Sequence, residues 1–86
     1  MSTFKEFILT EKQVKRRLPS EIQQKLKVVM NCYTIKNFVL GENNTFTFQK
    51  SHKIHGIRID DPKTLSGDFI LSEPINGNYK IRITVN

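Results

Sequence analysis

The sequence predicts an α+β domain in which two N-terminal helices pack on a four- to five-stranded antiparallel sheet. Helix-start signals recur in the first third, β-branched and aromatic alternation fills the second half, and turn-forming clusters punctuate that half. At 86 residues the chain has room for one domain, 1–86, with a thin core in which each large apolar residue counts.

Thr3-Phe4-Lys5-Glu6 has the form of a capping box, a hydroxyl three residues ahead of a Glu. Phe4, Phe7 and Ile8 then recur at helical spacing, so a first helix is expected from Thr3, with Val14 and Leu18 continuing its apolar side. Thr10-Glu11-Lys12-Gln13 offers a second cap and hence a kink or break near Thr10, and Pro19 ends the element. Ser20-Glu21-Ile22-Gln23 opens a second helix running to Cys32 or Tyr33, with Ile22, Leu26, Val29, Met30 and Tyr33 on its apolar stripe.

Strands are expected over 34–40, 45–49, 54–59, 68–72 and 79–85. Gly41-Glu42-Asn43-Asn44 and Asn76-Gly77-Asn78 supply turns. In the last strand Tyr79, Ile81, Ile83 and Val85 face the core, and Lys80, Arg82 and Thr84 face away. That strand is a candidate sheet edge in need of a cover, so a dimer is among the expectations.

The charge is +6 and unevenly spread. Residues 1–40 hold eight basic and three acidic side chains, and residues 41–86 hold six and five. A concentrated positive field attracts polyanions. The expected nucleic-acid-binding residues are Lys12, Lys15, Arg16, Arg17, Lys25 and Lys27 on the helices, extended by Lys80 and Arg82 on the sheet, with Arg58 also directed outwards. Most of the eight aromatics occupy core-facing positions, which argues for backbone and shape recognition over base stacking. No helix-turn-helix pattern emerges, so RNA is favoured over DNA; a solubilising basic surface explains the same charge without a partner.

Enzyme signals are weak, and no cofactor is expected. His52 and His55 are the only histidines; on a strand they would point to opposite faces, and neither has a Cys or acid at ligand spacing, which excludes a metal site from the reading. Cys32 is single, so no intramolecular disulfide is expected, and its apolar neighbours fit a structural thiol. Asp60-Asp61 before Pro62 reads as turn formation. No apolar run reaches the ~20 residues of a membrane span, and no signal-peptide pattern is present. The expected location is the cytoplasm.

Residues 1–11, Met-Ser-Thr-Phe-Lys-Glu-Phe-Ile-Leu-Thr-Glu, resemble the amphipathic opening of many small proteins of T-even-like bacteriophages. In the internal head proteins of those phages, a similar leader is removed after a Glu that follows Leu or Ile by two residues. Leu9-Thr10-Glu11 meets that rule, although Lys12 stands where that family commonly has Ala. The resemblance implies either a packaged protein cleaved after Glu11 or a host-takeover protein acting in the host cytoplasm. In size and charge the chain is also similar to phage RNA-binding inhibitors of host endoribonuclease toxins, which implies RNA, a host toxin or both as partners.

Length, basic charge and element pattern are shared as well with RelE-like messenger-RNA interferases. That resemblance implies charge stabilisation and proton transfer by His55, Arg58, Lys80 and Arg82. It departs from that family in opening with a helix signal where the family opens with a strand. The favoured expectation is a non-enzymatic, RNA-binding counter-defence protein.

Overall fold

The computed structural model describes residues 2–86 and contains one helix and six antiparallel strands, a mostly β architecture. The expected pair of helices is therefore corrected to a single one, and the sheet gains a strand at its start. The strands are β1 (Thr3–Thr10), β2 (Thr34–Leu40), β3 (Thr45–Ile54), β4 (Ile57–Asp60), β5 (Leu65–Leu71) and β6 (Asn78–Val85), with α1 (Glu11–Met30) between the first two. They form one sheet in the order β1-β6-β5-β3-β2, with β4 added to β3, and the sheet curls around α1 as a half-barrel.

The largest departure from expectation is β1. It pairs with β6 over eight rungs, from Thr3 opposite Val85 to Thr10 opposite Asn78. Phe4, Phe7 and Ile8 do fit helical spacing, but Phe7 and Leu9 also alternate with Phe4, Glu6 and Ile8 as a strand requires. Tertiary pairing decides between the two periods: as a strand the segment completes β6 and buries Leu9 to 1% exposure. This also removes β6 from the edge, since β1 and β5 flank it.

The helix begins where the second capping signal lies. The Thr10 hydroxyl accepts the Gln13 N–H at 3.2 Å, and the Gln13 side-chain oxygen accepts the Thr10 N–H at 2.8 Å. Pro19 does not end the helix. It has no N–H to donate and crowds the preceding turn, so the chain bends at Arg17 (φ −133°, ψ 18°) and continues. Ser20 consequently lies within α1 and caps nothing. Asn31 closes the helix in the left-handed conformation (φ 49°), and the Cys32 N–H donates to the Lys27 carbonyl at 3.1 Å.

Ile22 and Leu26 press α1 onto the concave face of the sheet, against Leu9, Phe46, Phe48, Phe69, Ile81, Ile83 and Val85. β3 is the longest strand, pairing with β2 along one edge and with β5 and then β4 along the other. A bulge at Asn37 and Phe38 of β2, with Asn37 left-handed (φ 54°), shifts the register between Lys36 and Val39. The strand expected over 54–59 is broken by a two-residue turn at His55 and Gly56, both at positive φ, so β3 and β4 form a hairpin. Asn76 and Gly77 make the equivalent turn before β6, as the sequence signals.

Gly67 sits where β5 crosses beneath a core ring. A Cβ there would overlap the Thr84 carbonyl oxygen and lie 2.8 Å from two ring carbons of Phe46. Neither the backbone nor a fully buried ring can retreat. Gly67→Ala is expected to destabilise the fold by at least about 2 kcal/mol, the scale of overpacking a close-packed core. A urea midpoint equal to that of the parent chain would refute this close approach.

Candidate nucleic-acid interface

The β1–α1 junction positions the densest charge. Thr10 is both the last rung of β1 and the helix cap, and the Glu11 N–H donates to the Gly77 carbonyl at 3.0 Å. From that anchored start α1 carries Lys12, Lys15, Arg16 and Arg17, all exposed, across its first two turns and the bend. Lys12 and Arg16 stand one turn apart. With Glu11 and Lys15 they line a shallow recess of about 330 Å³.

Only one of these four cations is neutralised among the described residues: Lys15 Nζ lies 2.8 Å from a Glu11 carboxylate oxygen. That hydrogen bond and the lysine charge hold the Glu11 carboxyl below its ordinary range and raise the Lys15 ammonium. Further along, Lys25 and Lys27 are half-buried, and Lys25 Nζ stands 5.5 Å from the centre of the Phe7 ring. The six expected helix residues thus occur on one element, with Arg17 displaced to its bend.

Lys80 and Arg82 do not join them. They alternate with Ile81 and Ile83, which are fully buried beneath α1, so they occupy the opposite face of the sheet. There the Arg82 guanidinium lies 4.0 Å from the centre of the Phe4 ring. The sequence reading missed this pair because it placed Phe4 on a helix. It also missed Lys53 over the Tyr33 ring at 4.9 Å; Phe4 and Tyr33 are both about half exposed.

Arg58 is held locally. Its Nε lies 3.2 Å from one Asp60 carboxylate oxygen, and Lys36 Nζ lies 3.0 Å from the other. The Lys36 hydrogen bond, aided by the Arg58 charge, keeps the Asp60 carboxyl below its usual range. Asp61 accepts the Lys63 N–H at 2.9 Å, a turn contact. His55 occupies the β3–β4 turn, and β4 pairs only with β3, so strand pairing does not bring His55 and Arg58 to Lys80 and Arg82 on β6. Residues 3–10 form a strand where a helix is expected, and the set His55, Arg58, Lys80 and Arg82 stays divided.

The Cys32 thiol is pushed up by partial burial against the weaker pull of Lys50 and Lys27, which disfavours the thiolate. Among the described residues no group of three or more His, Cys, Asp or Glu could hold a metal ion, and no helix is long and apolar enough to cross a membrane. Glu11, after which a leader would be cut, is the first residue of α1; a cut there would sever the covalent link between the helix and β1, which carries Leu9 of the core. Comparison with known proteins finds no match: no family model fits the chain, and no curated protein or solved structure aligns with it significantly.

Because the folded carboxyl is lowered, the Glu11–Lys15 contribution is present at neutral pH and is lost as the pH falls through the folded value. An NMR titration is expected to show Glu11 protonating at lower pH than an ordinary glutamate. Lys15→Ala should return it upwards. An unchanged midpoint in that variant would show that the pair does not persist in solution.

Proposed function

We propose that the protein is a non-enzymatic nucleic-acid-binding module that holds phosphates along α1, with RNA favoured over DNA. The observation that carries this reading is the row of exposed cations on the first half of α1, in which Lys12, Arg16 and Arg17 have no ion pair among the described residues. Lys15, paired with Glu11, and the half-buried Lys25 and Lys27 lie on the same helix and add to its positive charge. Lys80 and Arg82 lie on the other side of the sheet and are outside this footprint.

Each of these cations that meets a phosphate releases counterions. The helix packs lengthwise on the sheet, so these cations lie along its flank and not at a projecting tip, which suits backbone and shape recognition more than base reading in a groove. In the counter-defence setting that the N-terminal resemblance implies, binding of this kind would withhold RNA from a host endoribonuclease.

The protein purified without nuclease is expected to carry RNA at low salt and to release it as salt rises, read as a falling A260/A280 ratio. In a salt series on a single-stranded RNA, Arg16→Glu/Arg17→Glu should weaken binding by at least about tenfold. It should also flatten the slope of log K against log salt by more than one, since each neutralised phosphate of a single strand adds about 0.7 to that slope. Lys80→Glu should change neither quantity appreciably. Equal affinity in the parent and the double variant, or an absorbance ratio of pure protein at every salt, would overturn the assignment.

A further inference from the structure

The half-barrel has one covering layer, α1, so the convex face of β1, β6 and β5 has no partner among the described residues. Its side chains form a grid set by the strand register. Phe4 lies beside Thr84 and Asp68, Glu6 beside Arg82 and Ile70, and Ile8 beside Lys80. Phe4, Ile8 and Ile70 are 51%, 62% and 63% exposed, and Ile75, before the final turn, is 72% exposed. Ser72 and Lys80 border the recess between Ile8 and Ile75. Large apolar side chains clustered at this exposure mark an interaction surface.

The charges on this face are balanced: Lys80 and Arg82 against Glu6 and Asp68. None of the four makes an ion pair among the described residues. Glu6 and Arg82 are directly opposite across β1 and β6, yet Arg82 lies instead over its diagonal neighbour Phe4. Such a face, apolar with two free charges of each sign, is complementary to itself under a two-fold axis. We propose that it pairs with the same face of a second copy of this chain, each copy's Arg82 and Lys80 meeting the other's Glu6 and Asp68.

The rest of the surface favours this choice. Overall charge is +6, so two copies repel unless the interface is locally neutral and the cationic elements are kept apart. Pairing through the convex face places the two α1 helices on opposite outer sides, separated by both sheets. A second apolar patch, Ile54, Ile57 and Ile59 on the β3–β4 hairpin, is 48–66% exposed, but the hairpin's one acid, Asp60, alternates onto the opposite face with Lys53 and Arg58, so this patch lacks the charge of both signs that the convex face carries. Eight-residue strands, three abreast, offer a strip of about 27 Å by 14 Å. That is small for a stable interface, so the dimer should dissociate on dilution.

Sedimentation of the full chain over a concentration series tests the proposal. The expected mass rises from 10.0 kDa to twice that value as concentration increases. Ile8→Lys/Ile70→Lys should stay monomeric throughout with an unchanged circular dichroism spectrum, whereas Ile57→Lys/Ile59→Lys on the hairpin should dimerise like the parent. Glu6→Arg should weaken association by about tenfold or more, and adding Arg82→Glu should restore it, so the proposal is testable even where a lysine substitution harms folding. A monomer at every concentration, or loss of the dimer in the hairpin variant with retention in Ile8→Lys/Ile70→Lys, would overturn it.

Discussion

The eight-rung pairing of β1 with β6 is the constraint on which the other features depend. It supplies a neighbour for β6, whose Ile81, Ile83 and Val85 form the floor of the core, and it brings Leu9 into that floor. Its last rung, Thr10, is also the helix cap, and the next residue is tied to the β5–β6 turn through Gly77. Strand register and helix start are therefore one piece of geometry. The position of the cationic first turns of α1 follows from it.

A domain this small can cover only one face of its sheet. The helix provides that cover with Ile22 and Leu26, and the alternation of β6 sends Lys80 and Arg82 to the uncovered side. Eight of the fourteen basic residues are thereby divided between two surfaces with different chemistry, six along α1 and two on the convex face. Along α1 most of the cations make no ion pair among the described residues, the basis of the proposed phosphate contacts. On the convex face they share space with acids and with exposed apolar side chains, a mixture suited to another protein surface. Near β4, Lys36 and Arg58 are taken up by Asp60.

Much of the strand pattern is legible in the sequence. The alternation at 45–49 and 79–85, the turn at Asn76–Gly77 and the cap at Thr10–Gln13 are local signals, and local chemistry alone produces them. Three features depart from the sequence expectation for three physical reasons. In residues 3–10 the apolar side chains satisfy two periods at once, and the deciding energy lies in a partner strand about seventy residues away. Pro19 carries a strong stop signal, but a bend at Arg17 relieves its clash because the packed face of α1 holds the helix on course. His55 and Gly56 read as strand because they lie inside an isoleucine-rich run, Ile54 to Ile59, although both residue types tolerate the positive φ that the turn requires.

The candidate site divides along the same line. Sequence by itself determined which residues carry the charge, that they crowd into positions 12–17, and that Lys80 and Arg82 turn away from Ile81 and Ile83. Charge and alternation are properties of neighbouring residues and need no fold to be read. Only the tertiary structure decided that the helix cations and the sheet cations lie on opposite sides. It likewise decided that Phe4 comes out of the core to lie beneath Arg82. These depend on which strands become neighbours and on which face the helix covers. Those choices come from burying Leu9, Ile22, Leu26 and the three phenylalanines of β3 and β5 in one small core, an arrangement of distant residues that no local pattern encodes.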